Sequence, residues 1–446
     1  MSKTLPAEKY LKPEFEHCPV PPSHRRSLLS VVGVWFGFPM VLSNAVFGGV
    51  IVASLGFRLG FLALLTGTLI LAVYVGFLSY RAGTTGFNFA MIAQQTFGRR
   101  GYIIVSGLLS TVVIGWFAFQ VGLTGATLHA SFGANTFAMN LLAGALYMGI
   151  TYVGIKALTV VGWIAAPLYI IMGILALHLA LHNLSWHQVF TYTPTIKIPT
   201  ALTFGAAVTI VVAGFSDSGT MTPDFTRWAK SGRPAVIAAL SAFPLADMIA
   251  LGVGGLIVAT GVITNPLTNG GNFMMVLSDH GLLLTLLAIV FVFANLGSVC
   301  AHCLYNGAIG WSHITGSTMR KLTLFWGVLG TIAALLGIWS LFVNWLNLLG
   351  VVVPPIGAIL IADQIILRRS LSTPHSALPT WRIESFIAWV VGSAIALWVQ
   401  LDAPSYSEAV TGLVSAFVIY LAIYAFMRRA VASETLTESV SENVLE

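Results

Sequence analysis

The chain has 446 residues, of which 57% are hydrophobic and only 8% charged, and its mean hydropathy is +0.89. A soluble domain cannot hide that much apolar surface, so the composition excludes a soluble enzyme or binding module and predicts an all-α polytopic membrane protein. The net charge of +6 does not call for nucleic acid as a partner, because the basic residues sit in short loops between apolar runs, where membrane topology accounts for them.

Residues 1–27 are polar, with Pro19, Pro21 and Pro22 ahead of Arg25 and Arg26. The apolar run that follows is too long for a signal peptide and is predicted to be retained as a span, leaving 1–27 as a cytoplasmic segment. Apolar runs of about 20 residues then predict twelve spans at 29–55, 59–80, 102–130, 136–155, 158–182, 200–222, 234–263, 282–308, 322–341, 344–366, 383–401 and 408–427. Residues 86–98 add a short interfacial helix before the third. With the N-terminus inside, all of the 21 Lys and Arg except Arg58 and Lys197 fall on the cytoplasmic side. That partition supports an even span count with both termini cytoplasmic. Cys18, Cys300 and Cys303 form no disulfide framework. The tail, 430–446, is acidic and expected to be mobile and without chemistry.

Two spans carry interior breaks. Span one contains Gly37, Pro39, Ser43 and Asn44, and span six is interrupted halfway by Gly214-Phe215-Ser216-Asp217-Ser218-Gly219. Irregular backbone at membrane depth survives only where it lines a polar cavity, so both breaks point to a site at the midplane. Corresponding breaks five spans apart predict a five-plus-five inverted repeat, with spans 1–5 over 28–182, spans 6–10 over 183–366 and two additional helices over 367–429. Asp217 stands near the middle of an apolar span, where a carboxylate costs at least about 3 kcal/mol on insertion scales, and it is expected to face a ligand, an ion or a proton. The plainer alternative is that Gly214 and Gly219 allow close packing while Asp217 bonds to a neighbouring helix.

In span three Trp116 and Gln120 lie one helical turn apart on the same face. An aromatic wall beside an amide suits a planar ring rich in heteroatoms, and Phe215 is placed to supply an opposing wall. Span eight gathers Asn295, Ser298, Cys300 and His302 within two turns, and its hydroxyl, with unwound carbonyls of span one, suits a Na⁺ site. Cys300, His302 and Cys303 are too close on one helix to hold a zinc ion together. Asp247 in span seven is read as an interhelical anchor or a second proton-linked group, and Asp363, near Arg368 and Arg369, as an interfacial charge at a cytoplasmic end. No phosphate loop or nucleophile elbow occurs, which argues against direct ATP coupling.

With 219-GTMTPDFTRWAK-230, 304-LYNGAIGWSHITG-316 and 353-VPPIGAILIADQIILRR-369, the sequence resembles the nucleobase:cation symporter family of cytosine, purine, uracil, thiamine, hydantoin and allantoin permeases, over most of the chain and closest to bacterial cytosine permease-like members. The resemblance implies alternating access. It assigns Trp116, after Gly115, as the stacking tryptophan; Phe215, after Gly214, as the second aromatic; and Gln120 as the amide that hydantoin carriers use. Cytosine permeases carry a Gln where this chain has Val113 and a Ser where it has Asp217. The resemblance also implies a Na⁺ site from Gly37 and Met40 in span one and Asn295, Ser298 and Val299 in span eight. Val299 has no side-chain oxygen, so Na⁺ binding is expected to be weakened and Asp217, with Asp247, becomes a coupling candidate.

The expected function is secondary active import of a cytosine-like aminopyrimidine or a purine with Na⁺ or H⁺ across the plasma membrane. Trp116 and Phe215 sandwich the ring, Gln120 and Asp217 read its edge, and Gly214 and Asn44 complete the site. No cofactor beyond the coupling cation is expected, and the oligomeric state stays open. A thiamine precursor, hydantoin or allantoin is the alternative cargo. A membrane-embedded enzyme using Asp217, Asp247 and His302, or a channel, is the alternative class.

Overall fold

The computed structural model describes residues 13–182, 185–194, 202–278, 280–369 and 377–442. In chain order the helices are α1 (Leu28–Phe36), α2 (Leu42–Leu55), α3 (Phe57–Thr85), α4 (Phe89–Phe97), α5 (Gly101–Phe132), α6 (Thr136–Val153), α7 (Ile155–Ala180), α8 (Trp186–Phe190), α9 (Phe204–Thr220), α10 (Pro223–Thr226), α11 (Gly232–Leu240), α12 (Asp247–Ala259), α13 (Pro266–Asn269), α14 (Met274–Leu277), α15 (Leu282–Thr315), α16 (Met319–Leu335), α17 (Phe342–Ile361), α18 (Ile383–Asp402) and α19 (Glu408–Glu442). Each interval predicted to span holds a helix or a broken pair. Among the described residues nine helical segments are long and apolar enough to cross a membrane. The remaining three intervals hold the broken pair α1–α2 and the 17-residue helices α9 and α16. Caps are local: the Asn135 side chain accepts from Ala138 N and Thr203 from Ala206 N, while α3 and α5 end on Gly86 (φ 78°) and Gly133 (φ 67°), a left-handed turn that a side chain disfavours.

Span one breaks as predicted, at residues 37–41 between α1 and α2. Its two halves pack on different neighbours. Cβ atoms added at Gly33 and Gly37 would overlap Trp163 and Gly162 of α7, whereas Cβ atoms at Gly48 of α2 and Gly254 of α12 would overlap the Leu251 and Ala45 backbones. Backbones this close tolerate no side chain between them.

The predicted interruption at Gly214–Gly219 is corrected: α9 runs helically through it to Thr220, and the chain turns at Met221 and Thr222 before α10. The polar residues close bonds within the helix. Thr220 Oγ1 donates to Ser216 O (2.6 Å), Ser216 Oγ to Ala213 O (3.4 Å), and Ser218 N to Asp217 Oδ1 (2.6 Å). The break comes where Pro223 starts the next helix. Span seven has a kink that the sequence reading lacks. Phe243 leaves helical geometry (φ −121°, ψ 117°) before Pro244, and Asp247 opens the second half. The helix predicted within 86–98 forms as α4, but Phe89, Ile92 and Phe97 are fully buried, so it packs inside the protein. The tail expected to be mobile continues α19 to Glu442.

Residues 13–26 form a strap across one end of the bundle. Arg227, fully buried, donates from Nη1 to Phe15 O (2.7 Å) and from Nη2 to Glu14 O (2.8 Å). Glu14 accepts from Tyr305 Oη (2.8 Å) and Ile155 N (3.3 Å), Glu16 Oε1 from Met319 N (3.0 Å), and Arg26 N donates to Trp228 O (2.7 Å). Burial raises the Glu14 carboxyl from its usual 4.5 to about 7, against the opposing pull of Tyr305, Arg227, Arg320 and Arg26. Because the docked form holds the proton more tightly, docking is strongest below the usual pKa and weakens as pH rises through about 7, by about 3 kcal/mol in all. Amide hydrogen exchange in the strap, corrected for its intrinsic pH dependence, is therefore expected to accelerate over that window, and Glu14→Gln to flatten the profile. A level profile in the unsubstituted protein would contradict this.

Candidate functional site

Where the break of span one faces α5, α9 and α15, a small cavity forms. Its walls are Phe38, Val41 and Asn44 from the break and the start of α2, Trp116 and Gln120 from α5, Gly214, Phe215 and Ser218 from α9, and Val299 and Cys303 from α15, with Ser43 and Phe47 completing it. The cavity measures about 10 Å³, roughly the room of one water. The helical period brings these side chains together: Trp116 and Gln120 are one turn apart on α5, as are Val299 and Cys303 on α15. Gly214 leaves the wall open, since a Cβ there would meet only Phe47, at 3.7 Å.

The aromatic walls are braced from behind. Phe215 stands edge-on to Phe38 (centroids 5.4 Å, 82°) and to Phe243 (5.3 Å, 62°), the residue that leaves helical geometry in span seven. Gly115 lets Trp345 lie flush against α5, because a Cβ there would overlap the Trp345 ring. Gln120 Nε2 donates to Ser43 Oγ (2.8 Å), while its Oε1 is buried without a hydrogen-bond partner. An unsatisfied buried amide oxygen is costly and is ready to accept from a ligand N–H.

Asp217, fully buried, is not among the lining residues. Its carboxylate faces the indole N–H of Trp116, and its Oδ1 accepts from Ser218 N. It therefore stands behind the tryptophan wall rather than in it. Asn44 lines the cavity but spends its amide on structure, with Nδ2 donating to Asp247 Oδ1 (2.8 Å) and Pro39 O (2.8 Å). Asp247 thus ties span seven to the break. Pro244, three residues before Asp247, is the feature of the sequence that marks the kink in span seven, and Asn44 stands beside the other break.

The residues of the implied cation site do not form an open ring of oxygens. Met40 O accepts from Asn295 Nδ2 (2.6 Å), and Leu42 N donates to Asn295 Oδ1 (2.9 Å). Val299 faces the cavity, and Ser298 Oγ is buried without a partner. Gly37 is pressed against Gly162. Cys300 and His302 turn to different neighbours, Cys300 Sγ to Phe117 O (3.8 Å) and His302 Nδ1 to Ser298 O (2.6 Å), while the His302 ring stacks on Phe38.

Residues 19–423 match the family described as permease for cytosine/purines, uracil, thiamine, allantoin. The chain is 30% identical over 383 residues to the cytosine permease of Escherichia coli (strain K12), covering 86% of this chain and 87% of that protein. It is 22% identical over 441 residues to the hydantoin permease of Microbacterium maritypicum, covering 93% and 89%. Its fold superimposes with a TM-score of 0.76 and 19% identity on Mhp1, a nucleobase-cation-symport-1 family transporter in a closed conformation with bromovinylhydantoin bound, over 94% of this chain and 96% of that one. A multi-pass helical bundle with this topology, matched along nearly its whole length, places the protein in the family of membrane permeases for cytosine and purines, uracil, thiamine and allantoin.

Proposed function

We propose that this permease imports a nucleobase-like heterocycle, an aminopyrimidine such as cytosine or a purine, by cation symport and alternating access across the plasma membrane. Both termini are cytoplasmic in this reading, and the inverted halves are 28–182 and 183–366. The observation that carries it is the pairing, in one buried cavity, of the planar walls Trp116 and Phe215 with the unsatisfied Gln120 Oε1. A flat ring with an N–H or amino edge would satisfy all three at once, by stacking and by donating to the amide, once the walls part from their present water-sized gap to admit it. Binding of cargo and cation together favours one state over the other, which is how a gradient drives accumulation. A second reading, hydantoin or allantoin as cargo, is favoured by Gln120, placed one turn after Trp116 as in hydantoin carriers.

The deciding experiment is uptake of labelled cytosine, adenine, hydroxymethylpyrimidine and hydantoin into proteoliposomes under an imposed Na⁺ or pH gradient. Uphill accumulation of one ring separates a carrier from a channel or an enzyme; accumulation of none rejects the proposal. Asp217 is the coupling candidate, and Asp217→Asn is expected to abolish the pH dependence of uptake. An unchanged rate and pH profile would leave Asp217 with only its place behind Trp116.

A further inference from the structure

The break in span one leaves backbone groups that the helix no longer satisfies, and in a membrane protein each needs an internal partner. Val41 N donates to Pro39 O at 2.8 Å, and two side-chain amides supply further partners. Asn44 Nδ2 reaches Pro39 O at 2.8 Å, while Asn295, from α15, brackets the break with both ends of its amide, donating to Met40 O at 2.6 Å and accepting from Leu42 N at 2.9 Å. Asn295 is 1% exposed, and Met40 and Leu42 are fully buried.

This geometry does not fit a sodium ion. Hard cations take several oxygen ligands. Here Val299 offers none, Ser298 Oγ is a single hydroxyl left without a partner, and Met40 O already receives an N–H, the positive end of an amide dipole. A second amide donor, from Asn44, stands at the neighbouring carbonyl. A cation sharing Met40 O would face the Asn295 donor, of its own sign, on the same oxygen. Asn295 meanwhile does what a bridging ion does: it ties span one, through Met40 O and Leu42 N, to α15.

We infer that the Asn295 side-chain amide is a built-in replacement for a sodium ion between the broken first span and α15, so that this transporter closes and works without sodium. The consequence for uptake rests on the transport reading above; the place of the amide does not.

The test is binding of radiolabelled sodium to the purified full-length protein, with no substrate present. The unsubstituted protein is expected to show no saturable binding. Asn295→Asp puts a carboxylate oxygen against Met40 O, where only a cation or a proton relieves the repulsion, and Asn295→Ala with Val299→Thr opens the space and adds the missing hydroxyl. Either is expected to gain saturable sodium binding that unlabelled Na⁺ displaces and K⁺ does not. A folded variant that also binds cytosine or hydantoin should do so roughly tenfold more tightly in Na⁺ than in choline. Saturable binding by the unsubstituted protein overturns the inference, and so does the absence of binding in a variant that retains cooperative thermal unfolding. Failure to bind any heterocycle strikes at the transport reading alone, because the sodium measurement does not use one.

Discussion

Asp363→Ala is expected to destabilise the folded protein by about 3–5 kcal/mol, the scale for stranding one member of a buried ion pair. Asp363 is fully buried and binds four neighbours. Tyr420 Oη of α19 donates to Oδ1 at 2.8 Å and Arg382 Nη1 lies 3.4 Å from the same atom, while Thr96 Oγ1 of α4 and Gln364 Nε2 donate to Oδ2 at 2.9 and 3.2 Å. Arg81 of α3 joins through Gln364 Oε1 at 3.0 Å. Removing the carboxylate leaves Arg382, only 3% exposed, without its counter-charge and strands two further donors, the Tyr420 and Thr96 hydroxyls, while Gln364 Nε2 keeps Thr96 Oγ1 at 2.9 Å. The nearby Arg369–Glu384 pair at 2.7 Å is more exposed, and its loss should cost no more than about 1 kcal/mol. Thermal unfolding in detergent compares Asp363→Ala with Glu384→Gln. Equal losses would mean that the buried cluster is not the stronger tie. Asp363→Leu with Arg382→Met should recover much of the loss, since both charges leave together.

Trp116→Ala is expected to weaken cargo binding by roughly tenfold to a hundredfold, from the 1–3 kcal/mol that a base–aromatic stack contributes. The indole is 4% exposed and lies between the cavity and the packed body of the protein, so the ring is largely buried before cargo arrives. Trp116→Phe keeps a flat face without the N–H and should retain most of the affinity, whereas Asp217→Asn should act on coupling more than on stacking. Equilibrium binding of the labelled ring that proteoliposome uptake identifies measures all three. An affinity unchanged by Trp116→Ala would remove the aromatic wall from the site.

The spans were legible because an apolar run long enough to cross a bilayer has few other uses, and the break of span one because Gly37 and Pro39 interrupt such a run. The interruption in span six was misplaced for a definite reason. Gly, Ser and Asp in a row read as unwound chain, yet Ser216 and Thr220 bond back along their own helix and let it continue to Thr220. Asp363 read as an interfacial charge because Arg368 and Arg369 follow it, while its partners Thr96, Arg382 and Tyr420 come from other elements. The Glu14 strap gave no sequence signal, since Tyr305 and Arg227 reach it only through the fold. At the cavity, helical spacing paired Trp116 with Gln120, while Gly214, Phe215 and Asn44 entered through the breaks read in spans one and six and through the family resemblance; the structure lines one cavity with all five. That Asp217 stands behind the indole, and that Asn44 and Asn295 spend their amides on the break, required coordinates.

The glycine contacts along span one bear on how such a protein would be inhibited. Its first half is keyed into α7 and its second into α12, so a displacement of α7 against α12, which the Tyr169 Oη to Ala250 O bond also joins, would load residues 37–41. Phe38 stands at that joint and Phe47 on the half carried by α12, and both face the cavity. A stiff compound long enough to brace one ring against the other would jam the joint itself, arresting the cycle in whichever state it entered, whereas one that touches a single ring would only compete with cargo.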